Sequence, residues 1–171
     1  TPPTRRIHVM FTPLSKDRLD FVFEKSVELG ATDLHPVLTD QADIRKINDD
    51  RVRAQVIEAA EQCERLTVPV LHMLMPIDQK LAGWNEDCTV FAAIERAGAP
   101  LMRTLPRAVF HGRDSAILVG PAGGFSAPEK EWIPNVPGVQ PVSLGDHILR
   151  ADTAVLAMLS VLHLRGDDHE L

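Results

Sequence analysis

Two stretches concentrate the residues of this chain that could bind and react. One is LVGPAGGFS, residues 118–126; the other is SLGDHILRADTA, residues 143–154. Each leaves an apolar run through a glycine and enters a helix-like segment. A glycine there admits positive φ, or lets a ligand come close to the backbone. Arg150 and Asp152 follow the second glycine, a fixed cation beside a carboxylate. For either loop alone, a tight turn without a ligand is the stronger reading. Ligands of open α/β sheets sit at the carboxyl ends of strands, so two such loops open on one edge and weaken that reading.

Several chemistries are excluded. GPAGG lacks the Lys-Ser/Thr pair of a phosphate loop and is not G-x-G-x-x-G. His8, His35, His72, His111, His147, His163 and His169 are scattered, and none pairs at ligand spacing with another His or a Cys. Cys63 and Cys88 form no C-x-x-C, so no metal site and no disulfide framework is expected. Ser126 lies in no G-x-S-x-G elbow. It reads as a helix N-cap, with Glu129 completing a capping box.

The elements that must position these loops alternate between strand and helix. Strands are read at 6–11, 33–38, 88–94, 115–120 and 139–144. Helices are read at 16–29, 49–65, from Pro76 to Ala82, from Pro128 to Pro134, and from Ala151 to Leu164. Pro36 assigns 33–38 to an irregular or edge position, and 68–74 is ambiguous. Val52, Val56, Ala59, Cys63 and Leu66 fall on one stripe of the second helix. The order predicts an α/β domain, a mainly parallel sheet with helices on both faces. The last helix is apolar on almost every side from Ala154 to Leu159, so a second subunit is expected to cover part of it.

The chain has 171 residues, 44% of them apolar, enough for one domain with a sizeable core. That domain is read as 6–166, with a linker or boundary at 1–5 and a tail at 167–171. No apolar run approaches the ~20 residues of a membrane span, no signal segment is seen, and a cytoplasmic location is the default. The formal charge of −6 argues against a whole-surface grip on nucleic acid. The first half carries Arg5, Arg6, Arg45, Lys46, Arg51, Arg53 and Arg65, but acids are mixed among them.

Four stretches give the chain a family resemblance: KSVELGATDLHPVLT (25–39), EAAEQCERLTVP (58–69), LVGPAGGFSAPE (118–129) and VSLGDHILRADTA (142–154). Taken in order, they resemble the ribosomal small-subunit methyltransferase E family, within the knotted SPOUT class. The resemblance implies a C-terminal trefoil knot, which the usual topology rule would exclude. It implies S-adenosylmethionine as cofactor, held by Leu118, Val119, Gly120, Gly123, Gly124, Leu144, Gly145, Ile148 and Leu149, with Glu95 on the adenine side. It implies methylation of a uridine N3 in 16S ribosomal RNA of the small subunit, by a homodimer.

In that reading Arg150 stabilises the uridine anion, and the proton goes to Asp152, Glu129 or solvent. Gln62 and Arg65, with Arg150, are the candidate RNA contacts; helix-surface polar residues are the plainer reading of the first two. Two positions depart from the family: Ala122 and Asp152 stand where Glu is usual. The family's N-terminal PUA-like RNA-binding domain would end roughly where this chain begins. Alternatives are a non-catalytic RNA- or ribosome-binding module with a degenerate pocket, and a knotted methyltransferase acting on another RNA.

Overall fold

Ser115–Val119, SAILV, is buried at every position, which only a strand covered on both faces and both edges can be. In the computed structural model, which describes residues 5–94, 98–111 and 113–166, it lies in the middle of a parallel sheet. The strands are β1 (Ile7–Phe11), β2 (Asp33–Leu38), β3 (Val70–Leu71), β4 (Met75–Pro76), β5 (Thr89–Ala93), β6 (Ser115–Val119) and β7 (Val139–Val142). Their order is β3-β2-β1-β6-β5-β7, with β4 also pairing β2, and every pairing is parallel.

The pleat sorts the side chains into two cores. Val9, Phe11, Phe91, Ile117 and Val119 face α1 (Lys16–Glu28), α2 (Asp49–Gln62) and α5 (Ala151–Gly166). Met10, Val90, Ala92, Ala116 and Leu118 face α3 (Ile77–Ala82) and α4 (Ala127–Trp132). Helices thus cover both faces, as expected. Phe11 meets Phe23 of α1 edge to face at 5.3 Å; each such buried ring contributes about 2–3 kcal/mol of transfer free energy.

Three local expectations change. Pro36 does not make β2 an edge. The amides of Val70 and His72 donate to the carbonyls of Thr32 and Leu34, so even-numbered residues of β2 face β3. Pro36 comes next on that side, and falls between the last β3 pair, Leu34–Leu71, and the first β4 pair, Val37–Met75. Its missing N–H meets no strand. Leu66 leaves the buried stripe: α2 stops at Gln62, Glu64 turns to φ 56°, and Leu66 ends fully exposed. Arg5, read as part of a linker, is tied to the fold through Arg113 O (2.7 Å) and Ser115 Oγ (3.2 Å). The rest of the linker, and the tail at 167–171, lie outside the described residues.

Cys88 is buried beside Trp84, whose indole N–H donates to the Cys88 carbonyl (3.0 Å). Burial pushes its thiol up to about 11. The thiolate is the reactive form, so Cys88 should resist iodoacetamide at pH 8 while half-exposed Cys63 reacts. Mass spectrometry of the native and the urea-unfolded chain checks this, since Cys88 should label only in the latter.

Among the described residues no helix is long and apolar enough to cross a membrane. One side of α5 is buried through Ala151, Ala154, Val155, Met158, Leu159 and Leu162. The other, with Leu156, Ala157 and Ser160, stays half-exposed, and Leu164 is exposed.

Candidate functional site

The carboxyl ends of β5, β6 and β7 open into a cavity of about 650 Å³. Two loops wall it, 120–126 after β6 and 143–150 after β7. Val119, Gly120, Gly123, Gly124, Leu144, Gly145, Ile148 and Leu149 all line it. Leu118 does not: it alternates to the other face and packs in the α3–α4 core. Glu95 lies outside the described residues.

The two key glycines serve different ends. Gly145 takes φ +122°, a conformation side-chain-bearing residues rarely adopt, and a Cβ there would meet nothing within 4 Å. Gly120 is needed for contact instead. A Cβ there would come within 3.0–3.2 Å of the Phe125 ring, which packs onto it. Ala122 lines the cavity with a methyl group where a carboxylate was the family expectation.

The loop after β2 braces this wall, a part that sequence reasoning missed. With its amide oriented as its neighbours require, Gln41 donates to the carbonyls of Gly123 (2.7 Å) and Gly124 (3.1 Å). Ser126 Oγ donates to Asp40 Oδ2 (2.5 Å). The capping box is present: Glu129 N–H donates to Ser126 Oγ, and Ser126 N–H to Glu129 Oε1. Glu129 Oε2 accepts from the Asp40 amide (3.1 Å). Both oxygens of Glu129 are thus engaged and the residue is buried, so it is a strut between two loops and not a proton acceptor for a ligand. The matched stretch 25–39 stops one residue short of Asp40, and nothing in TDQAD distinguishes these residues from an ordinary polar turn.

Arg150 stands exposed where the second loop becomes α5, its carbonyl accepting from the Ala154 amide (2.8 Å). Leu149, its neighbour, lines the cavity. Asp152 is half-buried in the first turn of α5, and its Oδ1 is shielded from solvent with no hydrogen-bond partner among the described residues. Arg150 is therefore exposed between two cavity-lining residues, Leu149 and Ala151, whereas Glu129 is buried.

Of the RNA candidates, Gln62 is exposed at the end of α2. Arg65 is committed elsewhere. Its Nη1 donates to the carbonyls of Val27 (2.9 Å) and Ala31 (2.7 Å), closing the carboxyl end of α1. Arg65→Met should lower stability by about 1–2 kcal/mol in urea unfolding, because two carbonyls lose a charged donor. An unchanged midpoint would return Arg65 to the surface.

The histidines are not all scattered in space. His8, His35 and His72 meet around Asp33, near the amino ends of β1 and β2. Register, which spacing cannot reveal, brings them together.

The chain is similar to a Ribosomal RNA small subunit methyltransferase E of Rickettsia conorii, 31% identical over 157 residues, 92% of this chain and 64% of that protein. It thus spans less than two thirds of this relative's length. A crystal structure of a Ribosomal RNA small subunit methyltransferase E from Neisseria gonorrhoeae bound to S-adenosyl methionine is 30% identical, with TM-score 0.84 over 97% of this chain and 68% of that one. A methyltransferase of Legionella pneumophila, solved with bound SAM, is also 30% identical, with TM-score 0.81 over 97% of this chain and 69% of that one. The RNA methyltransferase domain model matches residues 1–163, and with sheet order, loop positions and cavity all in keeping, the chain belongs to the RNA methyltransferase domain family.

Proposed function

We propose that the chain is the catalytic domain of an S-adenosylmethionine-dependent methyltransferase acting on uridine N3 of 16S ribosomal RNA. The observation that carries this reading is the cavity. Its walls come largely from two glycine-bearing loops, with Val119, Ile94 and Leu149 as apolar surface. A nucleoside joined to an amino acid needs that mixture of backbone donors, acceptors and apolar contact. The similar proteins of Neisseria and Legionella hold S-adenosylmethionine.

When bound, S-adenosylmethionine supplies a methyl group on a sulfonium, ready for in-line displacement. The chain's own residues do the rest. Val119, Gly120 and Gly145 position the ligand, and Leu149 excludes water from its apolar side. Uridine N3 is a poor nucleophile until its proton leaves, and the charge then spreads onto the two carbonyl oxygens. Arg150 presents a fixed fork of donors to that charge. Asp152, whose Oδ1 has no hydrogen-bond partner among the described residues, is the candidate acceptor of the N3 proton.

The same reading makes the half-exposed side of α5 a homodimer surface, with Ile148 and Leu164 exposed at its two ends. It also makes the 143–150 loop part of a trefoil knot. In support, the segment before Thr104 and the start of this loop pair in parallel: the Met102 amide donates to Ser143 O (3.0 Å) and the Ser143 amide to Pro100 O (2.8 Å). Cytoplasmic ribosome precursors would be the partner.

Calorimetric titration with S-adenosylmethionine, followed by transfer of labelled methyl to undermethylated small subunits, tests the proposal. Stoichiometric binding and 3-methyluridine in the digest are expected. Binding with label in transfer RNA alone would move the substrate, and no binding by the folded chain would favour a non-catalytic module.

A further inference from the structure

The buried histidine cluster lies away from the cofactor cavity, near the opposite ends of the strands. The register sets His8 beside Asp33 and Met10 beside His35, so three chemistry-bearing side chains share the face toward α3. His8 Nδ1 is 3.0 Å from His35 Nε2 and 3.7 Å from Asp33 Oδ2. All three donor atoms lie within 4.8 Å of one another. The edge of a tetrahedron around zinc, at zinc–nitrogen distances of 2.0–2.1 Å, is about 3.3 Å. The observed spacings bracket it.

We propose that His8, His35 and Asp33 form a binding site for a zinc-class divalent transition metal, with a fourth position left to solvent. Two imidazoles and one carboxylate are a donor set such ions take. The surroundings match. Asp33 is fully buried, with Arg6 donating to both its oxygens, Thr32 to Oδ2 and His72 to Oδ1; a metal at Oδ2 takes the place of the Arg6 Nε donor, 3.0 Å away, while the others orient the carboxylate. Trp84 stands edge-on to both imidazoles, at 5.1 and 5.4 Å, as an apolar wall. His72 stacks on His35 at 3.9 Å and is a third exposed, which marks the way in.

Lys80 sets the competition. Its ammonium donates to His35 Nδ1 (3.0 Å), which fixes the His35 proton on Nε2, facing His8. A metal at Nε2 requires that proton to move to Nδ1, and the flexible Lys80 stem to swing away.

The test is a Zn²⁺ titration of the chelator-stripped chain by calorimetry, repeated with Co²⁺ and read by its visible absorption. One ion per chain at micromolar Kd or tighter is expected, with a nitrogen–oxygen cobalt spectrum free of thiolate bands. His8→Gln, at a partly exposed position, should weaken binding at least about tenfold. Thermal unfolding shows that the variant is folded. Lys80→Met should bind several-fold more tightly. Absence of binding below millimolar Zn²⁺, a thiolate spectrum, or affinity unchanged in His8→Gln would each overturn the proposal. None of these readouts depends on S-adenosylmethionine.

Discussion

A Gly145→Val chain should fold and melt close to the parent, yet bind S-adenosylmethionine roughly 10- to 100-fold more weakly. Gly145 holds φ +122°, and a Cβ there would touch nothing, so the substitution has no steric clash. Its cost is the backbone conformation alone, of order 1–3 kcal/mol for a side-chain-bearing residue. The residue sits in an exposed loop outside both cores. The unbound loop can escape the strain by relaxing, with little loss of stability. The liganded loop cannot, because it walls the cavity. The strain is thus charged almost wholly against binding. Calorimetric titration beside a melting curve separates the two effects. A large drop in Tm with unchanged affinity would show that the loop serves the fold and not the ligand.

The second large effect is catalytic. Arg150→Ala should lower the methyl-transfer rate by about 10²–10³-fold while leaving cofactor affinity nearly unchanged. That is the scale on which a preorganised donor stabilises charge developing in a transition state. Arg150 is exposed at the rim, and Leu149, not Arg150, lines the cavity. Its guanidinium is therefore free to meet a substrate base without supporting the wall. Arg150→Lys should recover only part of the rate, since an ammonium lacks the fixed fork. Single-turnover kinetics on small subunits, with separate titration of the cofactor, read the split. Loss of cofactor binding in Arg150→Ala would assign the residue to the pocket.

Much of this was legible because the relevant signals are local. SAILV reads as a doubly covered strand from five adjacent residues, and Ser126 with Glu129 reads as a cap from a three-residue spacing. Gly145 stands out because only its conformation explains it. What stayed hidden depends on pairing across the sheet. Pro36 looked like an edge marker, yet it is tolerated because β3 and β4 leave a gap beside it. Leu66 kept the helical rhythm of α2, but the turn at Glu64 put it in solvent. Arg65 looked like an RNA contact until the end of α1 came beneath it. Asp33, His8 and His35 became neighbours only through the β1–β2 register.

The place of β6 in the sheet has a consequence for how the protein is made. β1 is the first strand of the described chain and pairs on one side with β2, nearby in sequence. Its other partner is β6, with Ile7 facing Ser115 and Phe11 facing Val119. An emerging chain can zip β1, β2 and their helices early. The central seam must then wait until Ser115–Val119 has emerged, beyond α2, α3 and β5. During that interval β1 presents an unpaired, apolar edge, the feature that invites pairing with another chain. Folding dominated by such distant contacts is slow. Synthesis at high temperature should therefore lose yield through aggregation of incomplete chains, well below the temperature at which the finished protein melts.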